Sequence, residues 1–267
     1  MRNRINTPRI GLTYEVEAFS PATGDLTLIN QVAREIRAAM PDIPDWYDYY
    51  TRNHSSRIAF DLAIVKKWLQ VSRPIAEFGS SPLLLTAALS SIGFDVTGLD
   101  VDPERFNTAS DHLKLKVKKC DIEHEELPFG NNELDGIIFN EIFEHLRINL
   151  IFTFKEIFRV LRPGGRLLLS TPNGASYSNL RNLILFDRGL DFSVYESYDS
   201  IRTVGHMGHV REYTLSDVVE FLTSAGFVCT NAIYRGRYST NVGQIFARIR
   251  PRFRPHFSVI AHKPPTY

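Results

Sequence analysis

Short apolar runs that alternate with helical stretches constrain this fold more than any other feature. The runs cover residues 75–78, 95–99, 134–140, 166–170 and 227–234, with helical spacing between them. Such alternation is typical of βαβ units, which assemble a parallel sheet. We therefore predict an α/β fold whose sheet is mainly parallel. An apolar run at FSVIAH predicts one further strand near the end of the sequence.

The sequence also predicts how the chain is divided. The first fifty residues are rich in Pro and Tyr and contain one helical pattern, LTLINQVAREIRAAM, which ends before Pro41. We interpret residues 1–56 as an N-terminal helical cap and residues 57–267 as one domain, in which a helix covers residues 57–69. The connection at about 174–213, which follows the run at 166–170 and so the fifth strand of the expected sheet, is long enough to predict a lid insertion.

Composition argues against several classes of function. The 267 residues carry 31 Lys plus Arg against 30 Asp plus Glu, a net charge of +1, so no global basic field favours nucleic acid or an anionic membrane. Nucleic acid is thus a disfavoured partner, although a local basic patch stays open. No apolar stretch reaches the roughly 20 residues of a membrane span. Two cysteines and a start without an apolar leader predict a cytoplasmic protein, and the sequence makes no prediction of oligomeric state.

A candidate cofactor turn follows the first predicted strand. IAEF leads into Gly79-Ser80-Ser81-Pro82, where small residues let the backbone approach a ligand at a helix N-terminus. The next strand, DVTGLD, ends in Asp100, placed for a carboxylate that binds both ribose hydroxyls of an adenosine cofactor. A dinucleotide-binding dehydrogenase competes, but its G-x-G-x-x-G is absent here.

A candidate chemical site follows the strand that ends at Asn140. If a helix begins there, Glu141, Glu144 and His145 share one face, while Ile142 and Phe143 turn to the core. Two close carboxylates are costly unless a proton or a cation compensates their charge, so this spacing favours a divalent metal.

Further imidazoles in His206-Met207-Gly208-His209 could complete a shell for Mg²⁺ or Mn²⁺. We favour His209 as this ligand, with His206 as its substitute. Without a metal, His145 or His209 is the candidate general base. The plainer alternative is a helix N-terminus with favourable carboxylates and a histidine that packs.

From residue 57 to 235 the chain resembles the class I S-adenosylmethionine-dependent methyltransferases. The resemblance rests on EFGSSPL, GLDVDPERF, CDIEHEELPF, LDGIIFNEIFEHL, LRPGGRLLLSTPN and YTLSDVVEFLTSAGF, in the family's order. Only the first glycine of the family's first motif is present. The resemblance implies a Rossmann-like, doubly wound, seven-stranded sheet that binds S-adenosylmethionine.

The resemblance also implies the roles of individual residues. Glu77 and Gly79 would lie against the methionine part, Asp100 would bind the ribose, and Asp121 with Ile122 would meet the adenine. Asn140 would line the floor of the cofactor site. The flanking residues assigned to cofactor binding are Ser80, Ser81 and Val101.

The segment E-x-x-E-H resembles two branches that use it to hold a divalent metal. These are the ubiquinone-biosynthesis O-methyltransferases and the small-RNA 3′-terminal 2′-O-methyltransferases, and the second also has a later histidine. Both act on neighbouring hydroxyls. The resemblance therefore implies methylation of a vicinal diol, with Glu144, His145 and His209 as catalytic residues and Glu141 as a further ligand.

Four functions follow as hypotheses. The leading one is O-methylation of a sugar, glycan or glycosylated small molecule, because the cap and lid predict an enclosed pocket. The others are RNA 3′-terminal 2′-O-methylation, catechol or quinol O-methylation, and cofactor binding without catalysis. The missing glycines are the reason for considering the last of these. The basic run from Arg248 to His256 fits a solvated hairpin or a clamp for phosphate.

Overall fold

The computed structural model describes residues 3–6, 13–16, 19–188, 193, 195–196, 198–199 and 208–265. These form two compact units, each assembled from separate stretches of chain. The first unit holds 1–18, 140–151 and 169–262; the second holds 19–139, 152–168 and 263–267. The strands are β1 Asn3–Asn6, β2 Thr13–Val16, β3 Pro74–Phe78, β4 Asp95–Asp100, β5 Lys116–Lys119, β6 Leu134–Asn140, β7 Leu161–Pro172, β8 Val228–Arg235 and β9 His256–His262. The α-helices are α1 Thr23–Ala39, α2 Trp46–Trp68, α3 Leu84–Ser91, α4 Asn107–His112, α5 Leu150–Val160, α6 Tyr177–Phe186, α7 Leu215–Ser224 and α8 Asn241–Ile249.

A parallel sheet forms the centre of the second unit. Its strand order is β7-β6-β3-β4-β5, and β3 pairs in parallel with both β4 and β6. Ala76 lies opposite Thr97 on one side and Ile137 on the other. Strand β6 is buried from Leu134 to Phe139, as expected of a parallel strand with both faces covered. Because parallel strands end at the same edge, Gly79 after β3 and Asp100 at the end of β4 become neighbours.

The first unit is built on an antiparallel pair. Strand β8 pairs with β9, with Ala232 opposite Val259, and β2 extends the pairing in parallel to β8. Strand β1 pairs with β2, and β9 neighbours β7, whose last residues belong to this unit. Helix α7 begins after Thr214, whose hydroxyl accepts the Asp217 N–H while the Asp217 carboxylate accepts the Thr214 N–H.

The predicted Rossmann-like, doubly wound, mainly parallel fold is confirmed. All six predicted strands are present, as β3, β4, β6, β7, β8 and β9. The described residues contribute nine strands instead of seven. The sequence failed to indicate β1, β2 and β5, which are four residues each and carry no apolar run, as in the Lys-Val-Lys-Lys of β5.

The N-terminal helices are longer than their apolar patterns. Helix α2 begins at Trp46 instead of residue 57, so the predicted boundary at residue 56 falls inside a helix. The division into a cap and one domain stays a proposal, as does the lid at 174–213. In the described part of the chain, every helix is too short or too polar to cross a membrane.

Candidate functional site

The turn after β3 is held close against β4. Gly79 has a φ of +64°, the left-handed region that glycine adopts without a steric penalty. The Ser80 N–H donates to the Leu99 carbonyl at 3.0 Å. A Cβ placed on Gly98 would lie 2.7 Å from Ser80 Oγ, so β4 needs a glycine there for the turn to approach.

Asp100 is the polar centre of this turn. Its buried carboxylate accepts the Ser81 N–H at 2.9 Å and the Asp102 N–H at 3.0 Å, and Arg105 lies 3.7 Å away. A carboxylate offers about four acceptor positions, so two remain for hydroxyl donors. The hydroxyl oxygens of Ser80 and Ser81 are buried and find no hydrogen-bond partner among the described residues. Since buried polar atoms are normally paired, this turn fits a polar ligand such as the ribose and amino acid parts of S-adenosylmethionine.

The predicted adenine residues follow β5 in the same unit. The Cys120 N–H donates to the Asp100 carbonyl at 2.9 Å, which ties this segment to the end of β4. The Asp121 carboxylate accepts the Glu123 N–H at 3.0 Å, and the Ile122 carbonyl accepts the Thr153 hydroxyl at 2.9 Å. The side chain of Val101 is exposed. Asn140, the last residue of β6, belongs to the first unit. The cofactor roles of all these residues stay predictions.

Glu77 is a buried carboxyl on β3 beside this turn. The Thr86 hydroxyl donates to it. Burial raises the pKa of Glu77 to about 8, because the Thr86 hydrogen bond offsets only part of the lost hydration and the charges of Asp61 and Asp100 add to the rise. Glu77 is therefore protonated in the folded chain over a pH range in which an exposed glutamate is ionised.

The Glu77→Gln variant should change how stability depends on pH. A pKa raised from 4.5 to about 8 on folding contributes stability below pH 4.5 that is lost as the pH rises toward 8. Glutamine does not titrate, so urea denaturation of the variant should show a smaller fall in unfolding free energy across that window. An identical slope in both proteins would show that Glu77 titrates normally. Exposed Glu220→Gln is the matched control and should keep the slope of the unchanged chain.

The segment from Asn140 to His145 is a turn, so the predicted helix is wrong. Glu141 has a φ of +55°, which an α-helix does not tolerate, and its N–H donates to the Ser170 carbonyl at 2.8 Å. The His145 N–H closes the turn on the Ile142 carbonyl at 2.8 Å, and the next helix, α5, begins only at Leu150. Phe143 does turn inward, and its ring lies 4.6 Å from that of Tyr213.

Three of the predicted ligands meet in the first unit. Glu144 Oε1 lies 4.0 Å from His145 Nε2 and 3.9 Å from His209 Nε2. Glu144 is only 1% exposed, and its Oε2 accepts the Thr171 hydroxyl at 2.8 Å. Its Oε1 finds no hydrogen-bond partner in the described part of the chain. A buried, unpaired carboxylate oxygen facing two imidazole nitrogens within 4.8 Å fits a divalent cation.

The far nitrogen of each imidazole is held by a second group. His209 Nδ1 lies 3.2 Å from Glu212 Oε1, and Glu212 in turn accepts the Asn179 amide. His145 Nδ1 lies 3.2 Å from the Gly208 carbonyl. Such contacts fix the tautomer and the ring orientation of metal-binding histidines, and here they leave both Nε2 atoms toward Glu144. Sequence reasoning assigned no role to Glu212; its spacing of three residues from His209 was the available signal.

Glu141 lies outside this three-residue cluster. Its Oε1 accepts from Arg235 Nη2 at 3.2 Å and from the Ser170 hydroxyl at 3.2 Å, and its Oε2 lies 3.5 Å from His256 Nε2. Arg235 is itself buried on β8. A role for Glu141 as a metal ligand stays a prediction, and His206 lies outside the described residues.

The electrostatics of the cluster favour an added positive charge. Burial, together with the charge of Glu141, raises the pKa of Glu144 to about 8. Burial alone would lower the pKa of His209, but the hydrogen bond that its Nδ1–H donates to Glu212 and the charges of Glu144 and Glu212 outweigh it and raise the pKa. Both shifts mean that the site holds more negative charge than its surroundings stabilise.

Comparisons with known proteins agree with this architecture. Residues 76–169 match the family described as a methyltransferase domain. The chain is 28% identical over 158 residues, 58% of its length, to a "Probable S-adenosylmethionine-dependent methyltransferase" from Mycolicibacterium smegmatis. It is 26% identical over 122 residues, 43% of its length, to the mitochondrial ubiquinone biosynthesis O-methyltransferase of Rattus norvegicus. The matched segments span 52% and 35% of these two relatives, respectively.

Solved structures show the same fold at low identity. A methyltransferase from Archaeoglobus fulgidus superposes with a TM-score of 0.56 and 14% identity, covering 82% of this chain and 100% of that one. One from Methanosarcina mazei gives 0.54 and 19%, covering 76% and 98%. The fold, the ordered motifs and these matches together support a class I S-adenosylmethionine-dependent methyltransferase, with the methyltransferase domain match covering residues 76–169.

Proposed function

We propose that the chain is an S-adenosylmethionine-dependent O-methyltransferase. Its acceptor is one hydroxyl of a vicinal diol in a sugar, glycan or glycosylated small molecule, and a divalent metal assists the transfer. The observation that carries this proposal is the convergence of Glu144 Oε1 with the Nε2 atoms of His145 and His209. A buried carboxylate oxygen without a hydrogen-bond partner destabilises the fold, so a structural role does not explain this cluster. A role in the chemistry of an acceptor hydroxyl does explain it.

The cofactor side of the proposal rests on the turn after β3. The Asp100 carboxylate, already fixed by two backbone N–H groups, accepts the ribose hydroxyls. The unpaired hydroxyls of Ser80 and Ser81 bind the polar parts of the methionine moiety, beside Glu77 and Gly79. Asp121 and Ile122 contact the adenine.

The metal side assigns Glu144, His145 and His209 as ligands, with Glu141 and His206 as candidates for further positions. A bound Mg²⁺ or Mn²⁺ would supply Lewis acidity, which would lower the pKa of an acceptor hydroxyl so that it could lose its proton near neutral pH and take the methyl group from the sulfonium, with S-adenosylhomocysteine as the leaving group. Glu212 and the Gly208 carbonyl hold the two imidazoles so that their Nε2 atoms stay available. In a scheme without metal, one of these Nε2 atoms takes the proton of the acceptor hydroxyl as general base.

A catechol or quinol is the second candidate acceptor. It is supported by the match to the rat protein, whose name assigns it to ubiquinone biosynthesis. A catechol also presents two neighbouring hydroxyls, so the same three side chains would serve it. An acceptor panel of methyl glycosides with cis-diols, their deoxy analogues and simple catechols separates the two candidates by product mass.

Removal of metal should abolish turnover. After dialysis against EDTA we expect methyl transfer to fall at least about a hundredfold, and added Mn²⁺ or Mg²⁺ to restore it, since a Lewis acid supplies several kcal/mol to such a step. Calorimetric titration with S-adenosylmethionine is the control and should give the same affinity with and without chelator. Full turnover in EDTA would refute the metal and favour the imidazole base. Absence of S-adenosylmethionine binding in every condition would favour a role without catalysis.

A further inference from the structure

Helix α8 exposes its apolar face. Its small residues Gly243 and Ala247 point inward, and a Cβ on Gly243 would lie 2.7 Å from the ring of Tyr238. The outward side chains recur at helical spacing and are large, with exposed fractions of 51% for Val242, 53% for Ile245, 45% for Phe246 and 69% for Ile249. A surface helix of a globular protein normally has the opposite polarity. This stripe therefore indicates a binding surface.

The stripe lies in a part of the sequence whose charged residues are all basic. Residues 221–267 include seven Lys and Arg and no Asp or Glu, although the whole chain has a net charge of only +1. Arg248 stands in the last turn of α8, and Arg250 and Arg252 follow directly; all three are exposed. The apolar stripe is thus bordered by cations at one end.

Neighbouring side chains hold the helix in place, and Phe246 takes part in this packing with the part of its ring that is not exposed. The ring of Tyr177, on α6, stacks on Phe246 at 4.9 Å with an angle of 25° between the planes. The Tyr238 hydroxyl donates to the Phe253 carbonyl at 2.6 Å, and the Thr240 hydroxyl accepts the Gly243 N–H at 3.3 Å. A second exposed apolar run, Leu183 to Phe186, ends α6. These packed neighbours therefore fix the orientation of α8, with its large apolar side chains pointing outward.

We propose that this surface, formed by Val242, Ile245, Phe246 and Ile249 with Arg248, Arg250 and Arg252, binds the surface of an anionic phospholipid bilayer. A short helix with an aliphatic and aromatic face and arginines at its border lies in the plane of the membrane, with its apolar side chains among the acyl chains and its cations at the headgroups. The enzyme is thus a peripheral membrane protein. Nucleic acid fits this surface less well, because three of the four outward side chains are aliphatic and offer no stacking plane for bases.

Vesicle flotation with the purified full chain tests this inference. The protein should float with vesicles of phosphatidylglycerol and phosphatidylcholine in equal parts, stay unbound with phosphatidylcholine alone, and bind less as salt increases. The double variant Ile245→Asp with Ile249→Asp should reduce the partition coefficient about a hundredfold, since it removes two apolar anchors and adds two negative charges. The matched control, Ile151→Asp, changes an exposed isoleucine on α5 and should bind as the unchanged chain does.

A charge series separates the arginines from general basicity. Arg248→Gln, Arg250→Gln and Arg252→Gln together should weaken binding about fivefold per arginine. The control triple Arg34→Gln, Arg52→Gln and Arg73→Gln removes three exposed arginines from the second unit and should leave binding unchanged. Equal weakening by both triples would overturn the proposed surface.

Two other results would also overturn the proposal. One is binding to a single-stranded oligonucleotide without binding to anionic vesicles, which would make the surface a nucleic acid site. The other is a dimer in sedimentation that Ile245→Asp with Ile249→Asp dissociates, without vesicle binding by the unchanged chain, which would make it an interface between copies. Unchanged thermal unfolding of the variants shows that their fold is kept.

Discussion

Replacement of Glu144 by glutamine should lower the rate of methyl transfer by about a thousandfold, the scale on which a single electrostatic or Lewis-acid contribution acts. Glutamine keeps the size of the side chain, and its amide oxygen can still accept the Thr171 hydroxyl. It removes the ability of this group to ionise and hold a cation at the oxygen that faces His145 and His209. The affinity for S-adenosylmethionine, measured by calorimetry, should stay within about twofold, since the change leaves the turn after β3 untouched.

Stability provides an independent measure for this variant. A buried carboxylate without a partner on one oxygen costs free energy, so Glu144→Gln should unfold at the same or a higher temperature. Glu156→Gln is the matched control, because Glu156 is a buried carboxylate that pairs with Arg159 and accepts the Leu127 N–H. That control should lose stability and keep its catalytic rate. Normal turnover in Glu144→Gln would show that the cluster is structural.

Replacement of Asp100 by asparagine should weaken S-adenosylmethionine binding about a hundredfold, since hydrogen bonds to a charged acceptor contribute roughly 1.5–3 kcal/mol each and two hydroxyls are involved. Asparagine fits the same volume, and its oxygen can still accept one of the two backbone N–H groups that hold the turn. Calorimetric titration with S-adenosylmethionine and with S-adenosylhomocysteine should show equal losses, because both contain the ribose.

The control for this variant is the carboxylate two residues away. Asp102 is 51% exposed and pairs with Arg105, so Asp102→Asn alters a neighbouring charge without changing the proposed ribose contact. Its affinity for both ligands should match that of the unchanged chain. Equal affinities for Asp100→Asn and the unchanged chain would show that the ribose does not bind Asp100. The proposed cofactor site would then lack its main polar contact.

The sequence predicted those parts of the protein that depend on neighbours along the chain. Strands β3, β4, β6, β7, β8 and β9 were predicted because apolar runs and their breaks are local signals. The turn at Gly79 and the carboxylate at Asp100 were found in the same way, since a strand end and the next strand lie about twenty residues apart. Strand β5 is polar and carried no such signal. Its position depends on its pairing with β4 in the parallel sheet.

Contacts between distant residues were decided by packing. The spacing of E-x-x-E-H predicted a helix, but the positive φ of Glu141 and its bond to Ser170 make the segment a turn. The Glu141 carboxylate accepts a hydrogen bond from Arg235, a residue 94 positions away. Glu212 lies only three residues from His209, but Asn179, which binds Glu212, lies on α6, so no local pattern joins Asn179 to this pair.

Helix α8 shows the same division. Its spacing of Val242, Ile245, Phe246 and Ile249 makes it amphipathic in the sequence, which determines that one face is apolar. Sequence periodicity does not determine whether that face points to the core or to the surface. The close approach of Tyr238 to Gly243 selects the small residues for the inside, and the tertiary structure thereby turns the large apolar side chains to the surface.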